Sequence, residues 1–334
     1  MGVLEGKVAV VTGSGQGVGR GIALLLAREG AKVVTNNRKP RAALPPTQAF
    51  RSTALPGSEA SFTEAEAERF ASGYGDAEST AAEIIAEGGE AVPFYGDVAD
   101  YDIAGRMIET AVESFGRIDI LVNNAAGLGF GPFLSVTPED WEYQVGPKLN
   151  GSYNTMKHAV PHMIQQGSGR ILNTVSDAWI GIAALSPYSA ANAGLVALTK
   201  ATAKELYRHG ITVNAFAPQA ESPGHVSFNA TLRTMLEAHG VEIGDSERMR
   251  ESEEAHGPAE NLTFLAYLAS DEAADISGSI FSVTGGGRVA LYSEPTHISV
   301  IDKKGAAWTI DELRSAVRDH LLPNYVSTAT RSEF

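Results

Sequence analysis

The chain has 334 residues, 43% hydrophobic and 20% charged, a balance that suits a soluble globule with a real core. A net charge of −14 argues against nucleic acid or an anionic membrane as a main partner, and the absence of cysteine excludes disulfides, thiolate metal sites and cysteine nucleophiles. Met1–Gly6 carries no basic leader, and no apolar run approaches the ~18 residues of a membrane span, so no membrane partner and a cytoplasmic location are expected.

In chain order, Lys7–Thr12 (KVAVVT) reads as a strand. It runs directly into TGSGQGVGR, Thr12–Arg20, at the head of an amphipathic stretch Gly19–Glu29. Glycines in such a turn let backbone N–H groups approach a pyrophosphate that the helix N-terminus then faces. Further strands are expected at Ala31–Thr35, Ala91–Tyr95, Ile118–Asn123, Gly169–Val175, Ile211–Phe216 and Ser279–Val283. Helical patterns lie between them at Ala77–Glu87, Ile103–Phe115, Trp141–Gln166, Ser189–Arg208 and Glu260–Ala269. Several strands are almost continuously hydrophobic, as strands covered on both faces are. The alternation predicts an α/β, Rossmann-type, doubly wound parallel sheet of about seven strands in one domain, residues 1–287.

Two segments depart from the alternation. Residues 39–75, rich in Pro, Ala, Ser and Glu, stand where a short strand-to-helix loop belongs and read as a surface insertion, with one short helix at Thr63–Phe70. Residues 288–334 form a C-terminal extension with a helix at 309–321, started by the capping-box spacing of Thr309 and Glu312 and stopped by Pro323.

The ordered motifs resemble the short-chain dehydrogenase/reductase family over about residues 4–287, the insertion apart. Thr12-Gly13-x-x-x-Gly17-x-Gly19 matches its cofactor turn. GDV (Gly96–Val98) follows the third strand, NNAAG (Asn123–Gly127) the fourth, and NTVS ends at Ser176. PYSAAN holds Tyr188, and VNAFAP ends the sixth strand. The resemblance implies dinucleotide binding by Thr12, Gly13, Gly15, Gln16, Gly17, Val18, Gly19, Asn37, Arg38, Asp97, Val98, Asn124, Ala125, Tyr188, Asn192, Pro218 and Ser222. An acid at the end of the second strand would bind ribose hydroxyls and repel a 2′-phosphate; here stands Asn37, followed by Arg38, Lys39 and Arg41. That exchange favours NADP(H), with NAD(H) as the alternative.

In the family, a Tyr moves the proton, a Ser bonds the reacting oxygen, and a Lys four residues after the Tyr favours phenolate. A free Tyr has a pKa near about 10, so the cation matters near neutrality. Ser176 and Tyr188 are in place, but Asn192 occupies the Lys position. In GPKLNGSYN, Lys148 lies three residues before Gly151, where the family usually carries an Asn. The two residues look exchanged. Lys148 then returns the charge from the neighbouring helix, and Asn192 hydrogen-bonds ribose hydroxyls. The competing expectations are a weak or inactive nucleotide-binding subunit, and a non-redox lyase or epimerase on the same fold.

The resemblance implies transfer of a hydride between nicotinamide and a secondary alcohol or ketone, with a 3-hydroxyacyl-CoA or a cyclic, steroid-like alcohol as candidate substrates. Residues 221–256 are expected to form a lid, and Asp177 and Trp179 to lie on the substrate side. His158 and His162 are one helical turn apart with Pro161 between and no third ligand, so no metal site is expected. A homodimer or homotetramer is implied, or a hetero-oligomer with an active homologue.

Overall fold

A computed structural model of the chain describes residues 2–41, 51–52, 64, 67–68, 75–222, 224–226, 230, 256–295, 299–303 and 307–322. Of the short helix expected at Thr63–Phe70, Glu64, Ala67 and Glu68 are described and helical; the rest of it, most of the expected lid and Pro323 lie outside the described residues. Two compact units are present, Met1–Tyr292 and Ser293–Phe334.

The first unit is built on one eight-stranded sheet. Its strands are β1 (Val8–Val11), β2 (Lys32–Asn37), β3 (Ala91–Tyr95), β4 (Ile120–Asn123), β5 (Gly169–Thr174), β6 (Ile211–Gln219), β7 (Ile280–Thr284) and β8 (Val289–Leu291). Their spatial order is β8-β7-β6-β5-β4-β1-β2-β3. All neighbours pair in parallel except β8, which runs antiparallel to β7 with Val289 opposite Val283 and Leu291 opposite Phe281. The expected parallel sheet of about seven strands is therefore extended by one antiparallel edge strand. The Gly285–Gly287 turn reverses the chain, and the half-exposed side chains of β8 give its short run little hydrophobic signature. Order reverses between β1 and β4, so the loops after those strands open a crevice where ligands of such sheets bind.

Helices cover both faces. On one face α1 (Gly17–Arg28) and α7 (Phe264–Ala269) bury Ile22, Leu26 and Leu265 with Phe281. On the other, α3 (Tyr101–Phe115) and α5 (Gly151–Gln166) bury Met107, Ile108, Met156 and Met163. Each fully buried side chain of this size contributes about 1.5–3 kcal/mol. The remaining α-helices of this unit fully within the described residues are α2 (Ala77–Ala86), α4 (Pro138–Val145) and α6 (Ser186–Leu206). The helical pattern expected at Glu260–Ala269 is split: a 3-10 turn at Ala259–Asn261 precedes α7.

The continuous helix expected over Trp141–Gln166 is also interrupted. Between α4 and α5 the backbone makes a π turn, Gly146–Asn150. Pro147, which has no N–H to give to a regular turn, lies within it. Such turns re-aim the side chains they carry. Here Lys148 faces inward at 1% exposure while Asn150 faces solvent. Below this turn a buried polar chain holds the helices on the sheet. Thr155 Oγ1 donates to Asn123 Oδ1 (2.6 Å), Asn123 Nδ2 to Asn173 Oδ1 (2.9 Å), and Asn173 Nδ2 to Thr199 Oγ1 (2.9 Å). The chain runs from α5 across β4 and β5 to α6, and so fixes the helices carrying Lys148's turn and Tyr188. Buried networks satisfied in this way specify one arrangement.

In the second unit, Thr309 caps α8 (Ile310–Ala316), which passes into a π turn at Val317–Leu321. Thr309 Oγ1 accepts from Glu312 N, and the Glu312 carboxylate accepts from Thr309 N (2.8 Å), completing the expected box.

Candidate active site

The residues after β1 make a tight cradle. Gly13 N–H donates to Asn36 Oδ1 (3.2 Å), and Thr12 Oγ1 accepts from Asn124 N and Ala125 N (both 2.9 Å). Thr12 thus joins the ends of β1 and β4 at the switch point. A Cβ on Gly19 would lie 2.3 Å from Asn124 Nδ2, and one on Gly15 would lie 1.8 Å from Asn37 Oδ1. Side chains there would fill the cradle. Gln16 makes no capping hydrogen bond, and the first turn of α1 has no acidic residue, which leaves the helix N-terminus suited to an anion. Gln16 Oε1 and Asn37 Oδ1 are buried acceptors with no partner. Cradle, helix end and orphaned acceptors fit a dinucleotide.

At the end of β2, Arg38 and Lys39 are exposed, and Arg38 Nη1 lies 3.9 Å from Asp97 Oδ2. Asp76, close by at the start of α2, is engaged elsewhere: its carboxylate accepts from Arg41 N and Ser79 N (both 2.9 Å). Among the described residues, Asp76 therefore does not replace the acid missing at Asn37.

One cavity of about 410 Å³ joins this cradle to the reaction centre. Every residue expected to bind cofactor or act in catalysis lines it except Thr12, Gly15 and Asn192. Thr12 and Gly15 shape the turn from behind. Ser176 follows β5 and caps a 3-10 turn, its Oγ accepting from Ala178 N (3.3 Å). Tyr188 stands in the first turn of α6, started by Ser186 and Pro187. Burial raises the Tyr188 pKa above the usual 10.0, while hydrogen bonding by Ser176 and Asn192 pulls it partly back.

Asn192 is fully buried one turn along α6, and its Nδ2 donates to the Tyr188 carbonyl (2.8 Å). Its Oδ1 has no partner. Lys148 lines the cavity from the π turn, and its Nζ donates to the Thr174 carbonyl at the end of β5 (2.8 Å). No described carboxylate pairs with it, and burial lowers its pKa from 10.5 to about 7. The structure therefore brings Lys148, Ser176 and Tyr188 to one cavity and sets Asn192 behind the tyrosine.

A second polar group borders Ser176. The Asp177 carboxylate accepts from Gln219 Nε2 (2.9 Å) and from the Tyr292 hydroxyl. Tyr292 packs edge-on against Trp179, with ring centroids 5.4 Å apart. Burial, then Asp177, pushes the Tyr292 pKa up to about 12, so it remains a donor. Tyr292 follows β8, and nothing in the sequence alone tied it to Asp177. Ser222 Oγ accepts from His225 N (3.1 Å), and the His225 and His256 rings meet at 4.1 Å on the rim of the cavity. His158, by contrast, packs on Tyr101 and bonds its carbonyl (3.0 Å).

Residues 60–229 match the family described as short chain dehydrogenase. The chain is 35% identical over 288 residues to a 3-oxoacyl-(acyl-carrier-protein) reductase of Synechocystis sp., covering 86% of this chain and 98% of that one. It is 29% identical over 283 residues to the hydroxy(phenyl)methylsuccinyl-CoA dehydrogenase subunit BbsD of Thauera aromatica, covering 85% and 97%. The fold is similar to that of a short chain dehydrogenase from Mycobacterium avium, with TM-score 0.73, 34% identity and 98% of each chain covered.

Proposed function

The chain belongs to the short-chain dehydrogenase/reductase family, and on that premise we propose that Lys148 supplies the active-site charge that Asn192 cannot. Members of this kind are oxidoreductases of CH–OH and carbonyl groups that use NAD(P). Here Ser176 hydrogen-bonds the reacting oxygen, and Tyr188 gives it a proton during reduction or takes one during oxidation. A bound nicotinamide dinucleotide supplies or accepts the hydride. The cradle at Gly13–Gly19 would hold its pyrophosphate, and the Asn37–Arg38 corner would favour NADP(H) over NAD(H). The phenolate left on Tyr188 is then stabilised by protonated Lys148.

The observation that carries this reading is the burial of Lys148 in the cavity of Ser176 and Tyr188, with no acid paired to it among the described residues. The raised Tyr188 pKa keeps the phenol protonated, which suits reduction of a ketone. The substrate proposed is a 3-oxoacyl or 3-hydroxyacyl thioester, the class named by the Synechocystis relative, with cyclic or steroid-like alcohols next. Assembly as a homodimer or homotetramer through α5 and α6 is part of the proposal. Tyr153 and Ile164 are apolar groups exposed on α5, and sedimentation at micromolar concentration tests it.

The test is NADPH oxidation with acetoacetyl-CoA, followed by nicotinamide absorbance, in wild type and Lys148→Ala. The variant is expected to lose about 10²-fold or more in kcat, the usual scale of a proton-transfer contribution, while its NADPH affinity stays near wild type. The second reading, a nucleotide-binding subunit without turnover, rests on Asn192 in the Lys position. It predicts NADPH binding without oxidation of any ketone in a broad panel, and activity gained by Asn192→Lys.

A further inference from the structure

We propose that Lys148 is also a carbonyl-reactive amine, which forms an imine with a small aldehyde or ketone entering the cavity beside Ser176 and Tyr188. This rests on the placement of Lys148 in the reaction cavity but not on hydride transfer.

The hydrogen-bond inventory points this way. An ammonium carries three donors and no acceptor, whereas a neutral amine carries two donors and a lone pair. The surroundings of Nζ offer one hydrogen-bonded acceptor, the Thr174 carbonyl at 2.8 Å, and no described carboxylate pairs with it. The neutral form carries the lone pair that acts as the nucleophile. Burial shifts the amine in the same direction, to a pKa of about 7.

Three other described lysines, unlike Lys148, each have a carboxylate partner. Lys7 pairs with Asp271 at 2.9 Å, Lys32 with Glu90 at 2.9 Å and Lys303 with Glu312 at 2.6 Å, all on the surface. Selectivity for Lys148 follows from the difference. The cavity also supplies the polar help that addition needs, because Ser176 and Tyr188 line the same space.

The chemistry balances without an oxidant. The Nζ lone pair forms a bond to the carbonyl carbon, and the carbonyl oxygen takes up a proton to give a carbinolamine. That oxygen then leaves as water with a second proton, and the nitrogen–carbon double bond forms. One amine and one carbonyl give one imine and one water.

The test treats the full chain at pH 7 with propanal, and with sodium cyanoborohydride to reduce the imine to a stable secondary amine. Peptide mass mapping then measures the rate of propylation at each lysine. Lys148 is expected to label at least tenfold faster than Lys32 and Lys303, and saturating NADPH, which fills the cavity, should slow it. Lys148→Met should lose that adduct and keep the slow surface ones. If Lys148→Met fails to fold, the wild-type map decides alone. A Lys148 peptide that stays unmodified, or labels no faster than the surface lysines, overturns the proposal. A chain in which Lys148→Ala abolishes turnover while Lys148 resists propanal would overturn this inference and leave the proposed function standing.

Discussion

The two ends of β5 hold two buried cations in contrasting states. Arg170, near the start, has 8% of its side chain exposed and four acceptors: the carbonyls of Ser270 (3.0 Å), Gly169 (2.9 Å) and Gly210 (3.2 Å), and Asp271 (3.4 Å). Lys148 packs against the far end and has one, Thr174 O. The guanidinium is satisfied by three carbonyls and a carboxylate, so its charge belongs to the fold. Lys148 is buried in the reaction cavity with no described carboxylate partner, so its charge is a cost the fold carries for chemistry.

The comparison breaks if the two cations respond alike. Lys148→Met should abolish most turnover, by about 10²-fold, yet stabilise the folded chain by on the order of 1–3 kcal/mol in urea unfolding, because a buried charge with no described carboxylate partner is replaced by packing. Arg170→Met should do the reverse, costing about 3 kcal/mol with kcat per folded molecule little changed.

The next effect is on pH. Lys148 is depressed in the folded state, to about 7 against an ordinary 10.5, so between those values the unfolded chain holds more protons. Stability from this group therefore rises with pH through that window, by up to a few kcal/mol, and the full penalty is present below it. Lys148→Met should remove that slope from a series of unfolding curves. Reductive turnover runs the other way. It needs protonated Lys148 and should decline as pH climbs through about 7.

Smaller changes sharpen the site around the pair. Gly15→Ala would drive a methyl onto Asn37 Oδ1, 1.8 Å away, and should weaken NADPH binding about tenfold in a fluorescence titration. Tyr292→Phe removes one donor from Asp177, worth about 1 kcal/mol, and should raise KM a few-fold while kcat holds. A larger loss in kcat would mean that Asp177 positions Ser176 directly.

Much of the sheet was legible because strands buried on both faces leave unbroken runs such as ILVN and GRILNT. Strand β8 was not, since its exposed VAL triplet carries no such run. The glycine turn, Ser176 and Tyr188 were singled out by the resemblance of their motifs to the family's, and the fold brings all three to one cavity. Lys148 was readable only as an oddity of position, because the π turn that directs it inward depends on local backbone geometry around Pro147 and leaves no periodic mark. The links from Asp177 to Gln219 and Tyr292 span 42 and 115 residues, and only the folded sheet brings them together. Asn192 was expected against ribose hydroxyls, yet its amide turns back on its own helix. A fully buried i, i+4 contact to the Tyr188 carbonyl competes for that group.

The most direct measurement of the central claim is the exchange of the two residues. Acetoacetyl-CoA reduction with NADPH would be followed in Lys148→Asn, in Asn192→Lys and in the double variant carrying both. If a single cation beside Tyr188 is what the site requires, Lys148→Asn falls by about 10²-fold, and the double variant recovers to within about tenfold of wild type. Wild-type turnover in Lys148→Asn, or a rate that Asn192→Lys alone raises, would contradict it.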